Sequence, residues 1–314
     1  MNKMTIVHRA RKTGEFVPKL ATTWHRLSKS KLNNHIDCPR SYWYESVLKR
    51  AVPDTPESRK NFYRGRVVHK IDENFYRYCH ANRDILYKDG ETFISDFFNR
   101  IDLDSQFDIY IRNIHEWQLN SWRSYWDNGY EDTILRYFIP LVLTNGELGV
   151  ERKVYIEKMD WVTICDSIFL VPPEEKGKNK FEHIMIVDDK SGKHKEDKYT
   201  SLRVELTFMK RVMDASGLLP EIMTKDGYKP GFITSGAIYY PLSNDVMLTK
   251  ITQRQENTLD RRIERLKFSY QNDLWPCRPV RDWICNYCKH SDVCPHDYQT
   301  KDYDFPPGLE LDDD

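Results

Sequence analysis

The stretch IMIVDDKSGK, residues 184–193, is an apolar run that breaks into two acids and a lysine. In an extended chain side chains alternate between two faces, so Ile184, Ile186, Asp188 and Lys190 point the same way. The segment before it, WVTICDSIFLV at residues 161–171, holds Asp166 with Ile164 and Ile168 on its face, where a lone carboxylate would be expensive. If the two segments pair as a hairpin, the midpoint between Asp166 and Asp188 is Gly177, inside the polar loop PPEEKGKNK, and the two acids face each other. Two close carboxylates repel unless a cation lies between them, and hard oxygen ligands suit Mg²⁺ or Mn²⁺. A lysine beside such a cation can position or deprotonate a water and stabilise charge developing on a phosphate, which is the equipment of phosphodiester hydrolysis. A D-x-K alone is weak, because a surface hairpin with solvated charges reads the same way.

Moving outward, residues 201–215 have helical spacing, with Leu202, Leu206, Met209, Val212 and Met213 on one apolar arc and Glu205 inside it. An acid there is either salt-bridged or part of a site. Strands are expected at Glu151–Glu157, Trp161–Val171, His183–Lys190 and Ser235–Leu242, and a charged amphipathic helix at Thr252–Tyr270. Residues 59–138 are largely helical in pattern, with Val67, Val68, Ile71 and Phe75 as one stripe. Leu27–Leu48 reads as a helix capped by Ser28 or Ser30 and interrupted at Cys38-Pro39.

The motifs G-R-V-V-H (65–69), C-D (165–166), V-D-D-K-S-G-K (187–193) and V-E-L-T-F-M (204–209) together resemble those of the RecB-type branch of the PD-(D/E)xK nucleases, across most of the chain. The resemblance implies an α/β, restriction-endonuclease-like core: a small mixed sheet flanked by helices, with a helical subdomain. It makes His69, Asp166 and Asp188 the metal ligands and Lys190 the catalytic lysine, with the Asp189 carbonyl as a further ligand. Two positions depart from the family pattern. Thr163 stands where a glycine is common, and Glu205-x-x-x-Met209 replaces a Gln-x-x-x-Tyr signature, which leaves the catalytic or DNA-binding role of Glu205 and its helix open.

Near the C-terminus Cys285, Cys288 and Cys294 form a C-x2-C-x5-C group that can converge on one metal centre, and a fourth thiol is needed. Cys38, in IDCPRSYWY, resembles the first cluster cysteine of iron–sulfur RecB-type nucleases, which share this AddB-like arrangement of one cysteine plus three. Thiolates alone do not separate a 4Fe–4S cluster from Zn²⁺; the resemblance implies a 4Fe–4S cluster in a C-terminal iron–sulfur cap. Cys79 and Cys165 read as core packing, and Cys277 as a non-ligand near the cluster.

These readings divide the chain into a basic arm and helix with Cys38 (1–70), a helical subdomain (71–145), a nuclease core (146–250), a C-terminal helix and cysteine cap (251–300) and an acidic tail (301–314). Net charge is zero, but residues 1–70 hold sixteen Lys/Arg against five Asp/Glu, a footprint suited to phosphates. Aromatics interleaved with basic residues at Arg40–Tyr44 and around Trp117, Trp122 and Trp126 could stack bases, although most are expected in the core. Seven cysteines without a secretory signal argue against a disulfide framework, and no apolar run reaches membrane-spanning length. The expectation is a soluble cytoplasmic enzyme acting on DNA, single-stranded or at ends, as an exonuclease more than an endonuclease. It lacks a P-loop, so unwinding would come from a helicase or other repair or replication partner. The competing class is a non-catalytic DNA-binding or scaffold subunit that keeps the fold.

Overall fold

The computed structural model describes residues 26–173, 181–194, 199–277, Cys285 and residues 288–294. Most of the basic arm, the loop 174–180 and the acidic tail lie outside the described residues. The chain divides into two compact units, one of residues up to Val52 together with those from Asp260, the other of Pro53–Leu259. The described residues within 26–52 and 260–294 thus share one unit, while the helical region and the strands share the second.

In the first unit, α1 (Lys29–Asp37) starts at Ser28, whose Oγ accepts from Lys31 N at 3.3 Å. Pro39 breaks the helix and opens the short α2 (Pro39–Tyr42), followed by a π turn over Trp43–Val47. The interruption expected at Cys38-Pro39 is therefore present. Tyr42 stacks on Trp275 with ring centroids 5.9 Å apart, and buried His35 meets Ser269 Oγ at 2.9 Å, so the N-terminal helices pack on the C-terminal segment. Tyr42, Trp43 and Tyr44 are all buried, which assigns them to the core rather than to an open stacking surface.

Burial, aided by the Arg265 charge, drives His35 down from 6.5 to about 3. The folded unit refuses a proton that the unfolded chain accepts, so stability is full above about pH 6.5 and falls as pH drops toward the folded value. Denaturant melts at pH 6.5 and 5 are expected to show a loss of about 2 kcal/mol from this group. The His35→Gln variant should lack that part of the slope, and an unchanged slope would remove His35 as its source.

In the second unit, α3 (Pro56–Ala81) begins with Thr55 Oγ1 accepting from Ser58 N at 3.1 Å and with Pro56 in its first turn. It is followed by α4 (Arg83–Lys88), α5 (Gly90–Asn99), α6 (Asp108–Asp127) and α7 (Ile134–Phe138). The expected boundary at residues 70/71 falls inside α3. Val68, Ile71, Phe75 and Cys79 form its buried stripe, and Phe75 meets the rings of Phe97, Phe98 and Phe138.

The sheet has order β1-β2-β3-β6-β7, from β1 (Val150–Ile156), β2 (Trp161–Val171), β3 (His183–Asp189), then β6 (Ile233–Tyr240) and β7 (Asp245–Lys250). Between β3 and β6 the chain runs through α8 (Tyr199–Ser216) and a separate hairpin of β4 (Glu221–Thr224) and β5 (Gly227–Pro230). The β3–β6 pair is parallel and the other sheet pairs are antiparallel. Alternation along β6 sorts the two faces: Tyr239 joins the core under α3, α5 and α6, whereas Ile238 and Tyr240 pack with Leu202 and Leu206 of α8. A last helix, α9 (Gln253–Asn272), contains the unit boundary. No helix among the described residues is long and apolar enough to cross a membrane.

Candidate active site and thiol cluster

The β2–β3 register pairs Ser167 with Val187, which centres the hairpin on residue 177 as expected and, continued by one residue, sets Asp166 opposite Asp188. All of Asp166, Asp188 and Asp189 are buried. Lys190 Nζ lies 2.7 Å from Asp188 Oδ2 and 2.9 Å from Glu205 Oε2, so Asp188 and Lys190 do share a face, and Glu205 of α8 is part of the site's charge network. Burial opposes the Lys190 charge, but the two carboxylates outweigh it and raise its pKa, keeping it cationic.

Asp189, on the opposite face of the strand, is directed toward α3. Its carboxylate groups with His69 and Asp166, their candidate ligand atoms all within 4.8 Å of one another. Its backbone N–H also donates to Asp166 Oδ2 at 2.7 Å. The expectation gave Asp189 a carbonyl role. The structure instead presents its carboxylate, because alternation at the strand end sends the middle residue of D-x-K to the helical side.

His69 Nδ1 lies 2.9 Å from Glu151 Oε1 and 3.6 Å from Asp166 Oδ2. Burial disfavours the imidazolium, yet the Glu151 hydrogen bond and the Asp166 and Asp189 charges raise it to about 10. Asp72, one turn beyond His69, is buried and pushed up to about 7, chiefly by burial and by the Asp166 charge, with His69 opposing. Burial and the neighbouring Asp72 and Asp166 charges hold Asp189 well above the usual carboxylate range.

Glu151 and Asp72 are the residues that sequence reasoning missed. Glu151 sits between the pairs Val150↔Ser167 and Arg152↔Cys165, hence opposite Asp166, and has φ of 47°. A left-handed backbone at a residue with a Cβ costs about 1 kcal/mol or more, and nothing in the local sequence announces it. Asp72 did carry a signal, the same one used for Glu205: an acid within the apolar stripe of a helix.

The first unit gathers the thiols. Cys277 Sγ lies 3.1 Å from Cys294 Sγ and also hydrogen-bonds Cys38, whose sulfur faces the backbone N–H groups of Arg40 and Ser41. Cys285 adds to the charge felt by Cys277, and Cys288 to that felt by Cys294. Cys38 therefore meets Cys277, and its charge is felt by Cys294. Cys277, read as a non-ligand, stands in direct contact with two of the four proposed ligands. Cys79 and Cys165 belong to the second unit and are fully buried there, as core residues.

A mixed five-stranded sheet with helices on both faces, and a His/Asp/Asp group beside a D-x-K lysine, define a restriction-endonuclease-like class of fold. The family model of the PD-(D/E)XK nuclease superfamily matches residues 26–295, and the chain belongs to that superfamily. No curated protein matches it.

Proposed function

We propose that this chain is a Mg²⁺- or Mn²⁺-dependent deoxyribonuclease of the RecB-type branch, an exonuclease acting on single-stranded DNA or DNA ends. The observation that carries the reading is the convergence of His69, Asp166 and Asp189 next to the Asp188–Lys190–Glu205 network. The donor set fits a hard divalent cation. Four carboxylates crowd one imidazole, and Asp72 Oδ2 is buried with no hydrogen-bond partner. His69, Asp166 and the Asp189 carboxylate would hold the ion, while Asp188, which the family resemblance made a ligand, is turned to Lys190. When bound, the ion supplies Lewis-acid stabilisation of phosphate charge and a more acidic water.

The chain's own groups do the rest. Lys190, kept charged by Asp188 and Glu205, faces the phosphate with a fixed cation, while Glu151 holds the His69 ring. Anaerobically purified protein and its Asp188→Ala variant, given end-labelled single- and double-stranded DNA with Mg²⁺, Mn²⁺ or chelator, test the reading. Metal-dependent degradation lost in the variant supports it, and the product ladder separates exonuclease from endonuclease action. DNA bound but never cut would favour a scaffold subunit.

We also propose a 4Fe–4S group held by Cys38, Cys285, Cys288 and Cys294, as the family resemblance implies, since soft thiolate donors suit iron–sulfur chemistry. Such a group would tie the chain's ends together and act on stability. The Cys38→Ser variant is expected to lose bound iron and sulfide and to melt several degrees lower than wild type. Colourless, zinc-loaded, active wild-type protein would end the iron–sulfur assignment. A helicase or other repair or replication protein would supply strand separation for such an enzyme.

A further inference from the structure

The first four turns of α3, PESRKNFYRGRVVHK from residue 56 to 70, carry five Lys/Arg against one acid and lead directly to His69. Positions seven apart on an α-helix are about 20° short of two full turns, so Phe62 lies on the His69 face, roughly 10 Å along the axis. Ser58, Gly65 and Arg66 fall on the same face. Phe62 is 64 % exposed, whereas its neighbour Tyr63 is anchored edge-on to buried Phe107 at 5.8 Å. Phe62 is absent from the buried core cluster that α3 helps to form, and Arg59 and Arg66 flank it on the helix surface. The helix is also held close to the catalytic strand end: a Cβ on Gly65 would lie 3.5 Å from Ser191 Oγ, one residue past Lys190, and Tyr110 OH donates to Ser191 O at 2.9 Å.

From this placement we infer that Phe62 is a base-stacking platform for single-stranded nucleic acid, with Arg59 and Arg66 holding the flanking phosphates, and that it feeds an unpaired strand toward His69. A base can stack on a phenyl face only when it has left its duplex, and stacking tolerates every base, so the subsite selects strandedness rather than sequence. The inference rests on the nuclease reading for the direction of travel, but the binding step stands apart from cleavage.

The test is binding of full-length protein to fluorescent oligothymidylate, to the same oligomer carrying abasic positions, and to duplex, in chelator so that nothing is cut. Wild type, Phe62→Ala, Phe62→Trp and Arg66→Ala are compared. Phe62→Ala should weaken oligothymidylate binding about tenfold and duplex binding less than twofold, with Phe62→Trp restoring affinity. Abasic substitution should weaken wild type by a similar factor and leave Phe62→Ala indifferent, since the phosphates are unchanged. Arg66→Ala should instead flatten the salt dependence for both DNA forms. Equal oligothymidylate affinity in wild type and Phe62→Ala, or equal sensitivity of both to abasic positions, would overturn the platform. So would no binding by wild type. A wild-type protein that shows the stacking signature but cuts nothing with any metal would sink the nuclease reading and leave this one standing.

Discussion

The Asp166→Asn variant is expected to cut DNA at least about 10³-fold more slowly than wild type while melting no lower in chelator. Asparagine keeps the shape and can still accept from Asp189 N, so the 2.7 Å contact survives, but the charge central to the group is gone. Losing a metal ligand removes several kcal/mol of charge stabilisation, and each 1.4 kcal/mol is tenfold in rate. Metal-free stability should change little, because the Asp166 charge pushes up Asp72 and Asp189 but also helps hold the His69 imidazolium. Removing it lets the two carboxyls ionise more readily and the imidazole less so. In wild type, saturating Mn²⁺ at a hundredfold excess over Kd should add about 2.7 kcal/mol. In the variant that increment should shrink or vanish. Cleavage within a few-fold of wild type would place the chemistry elsewhere, and a large stability loss in chelator would show that Asp166 is a structural acid.

Much of this site was legible because period-two alternation and hairpin symmetry are strong constraints. The midpoint at Gly177 follows from Asp166 and Asp188 alone, and the observed pair Ser167↔Val187 shares it. The α8 arc was legible for a similar reason: Leu202, Leu206, Met209, Val212 and Met213 are all buried. What escaped is what lacks a periodic signature. The hairpin of β4 and β5 is short and β5 is exposed throughout, and β7 buries little, so neither shows alternation. The companions of His69 depend on tertiary approach. Glu151 arrives through an unusual backbone angle, and Asp189 lies where alternation puts it, on the strand face away from Asp188, where only the fold brings His69 to it. Ile164 makes the same point from the apolar side. It shares the Asp166 face on paper, yet it is 44 % exposed while Asp166 is buried. Likewise Cys277 read as near the cluster but not among its ligands, and only tertiary approach brings it against Cys294.

Replacing Lys190 with Met should lower kcat about 10²- to 10³-fold, leave KM and the metal-induced rise in melting temperature nearly unchanged, and destabilise the fold by about 3–5 kcal/mol. The two effects have separate origins. Rate falls because a fixed cation aimed at developing phosphate charge is gone, and methionine fills the volume without replacing it. Stability falls because Asp188, only 1 % exposed, loses the Lys190 ion pair at 2.7 Å, and a buried carboxylate stripped of its cation is far costlier than an intact pair is beneficial. Glu205→Gln separates them further. It leaves the Asp188 pair in place and removes only the second carboxylate, at 13 % side-chain exposure, so Lys190 remains charged. That variant should keep activity within about tenfold and stability within about 1 kcal/mol, as expected for replacing one charge-assisted hydrogen bond by a neutral one. If Glu205→Gln were as damaging to kcat as Lys190→Met, Glu205 itself would belong among the groups that contact the reacting phosphate. The α8 helix would then be part of the reaction centre rather than its support.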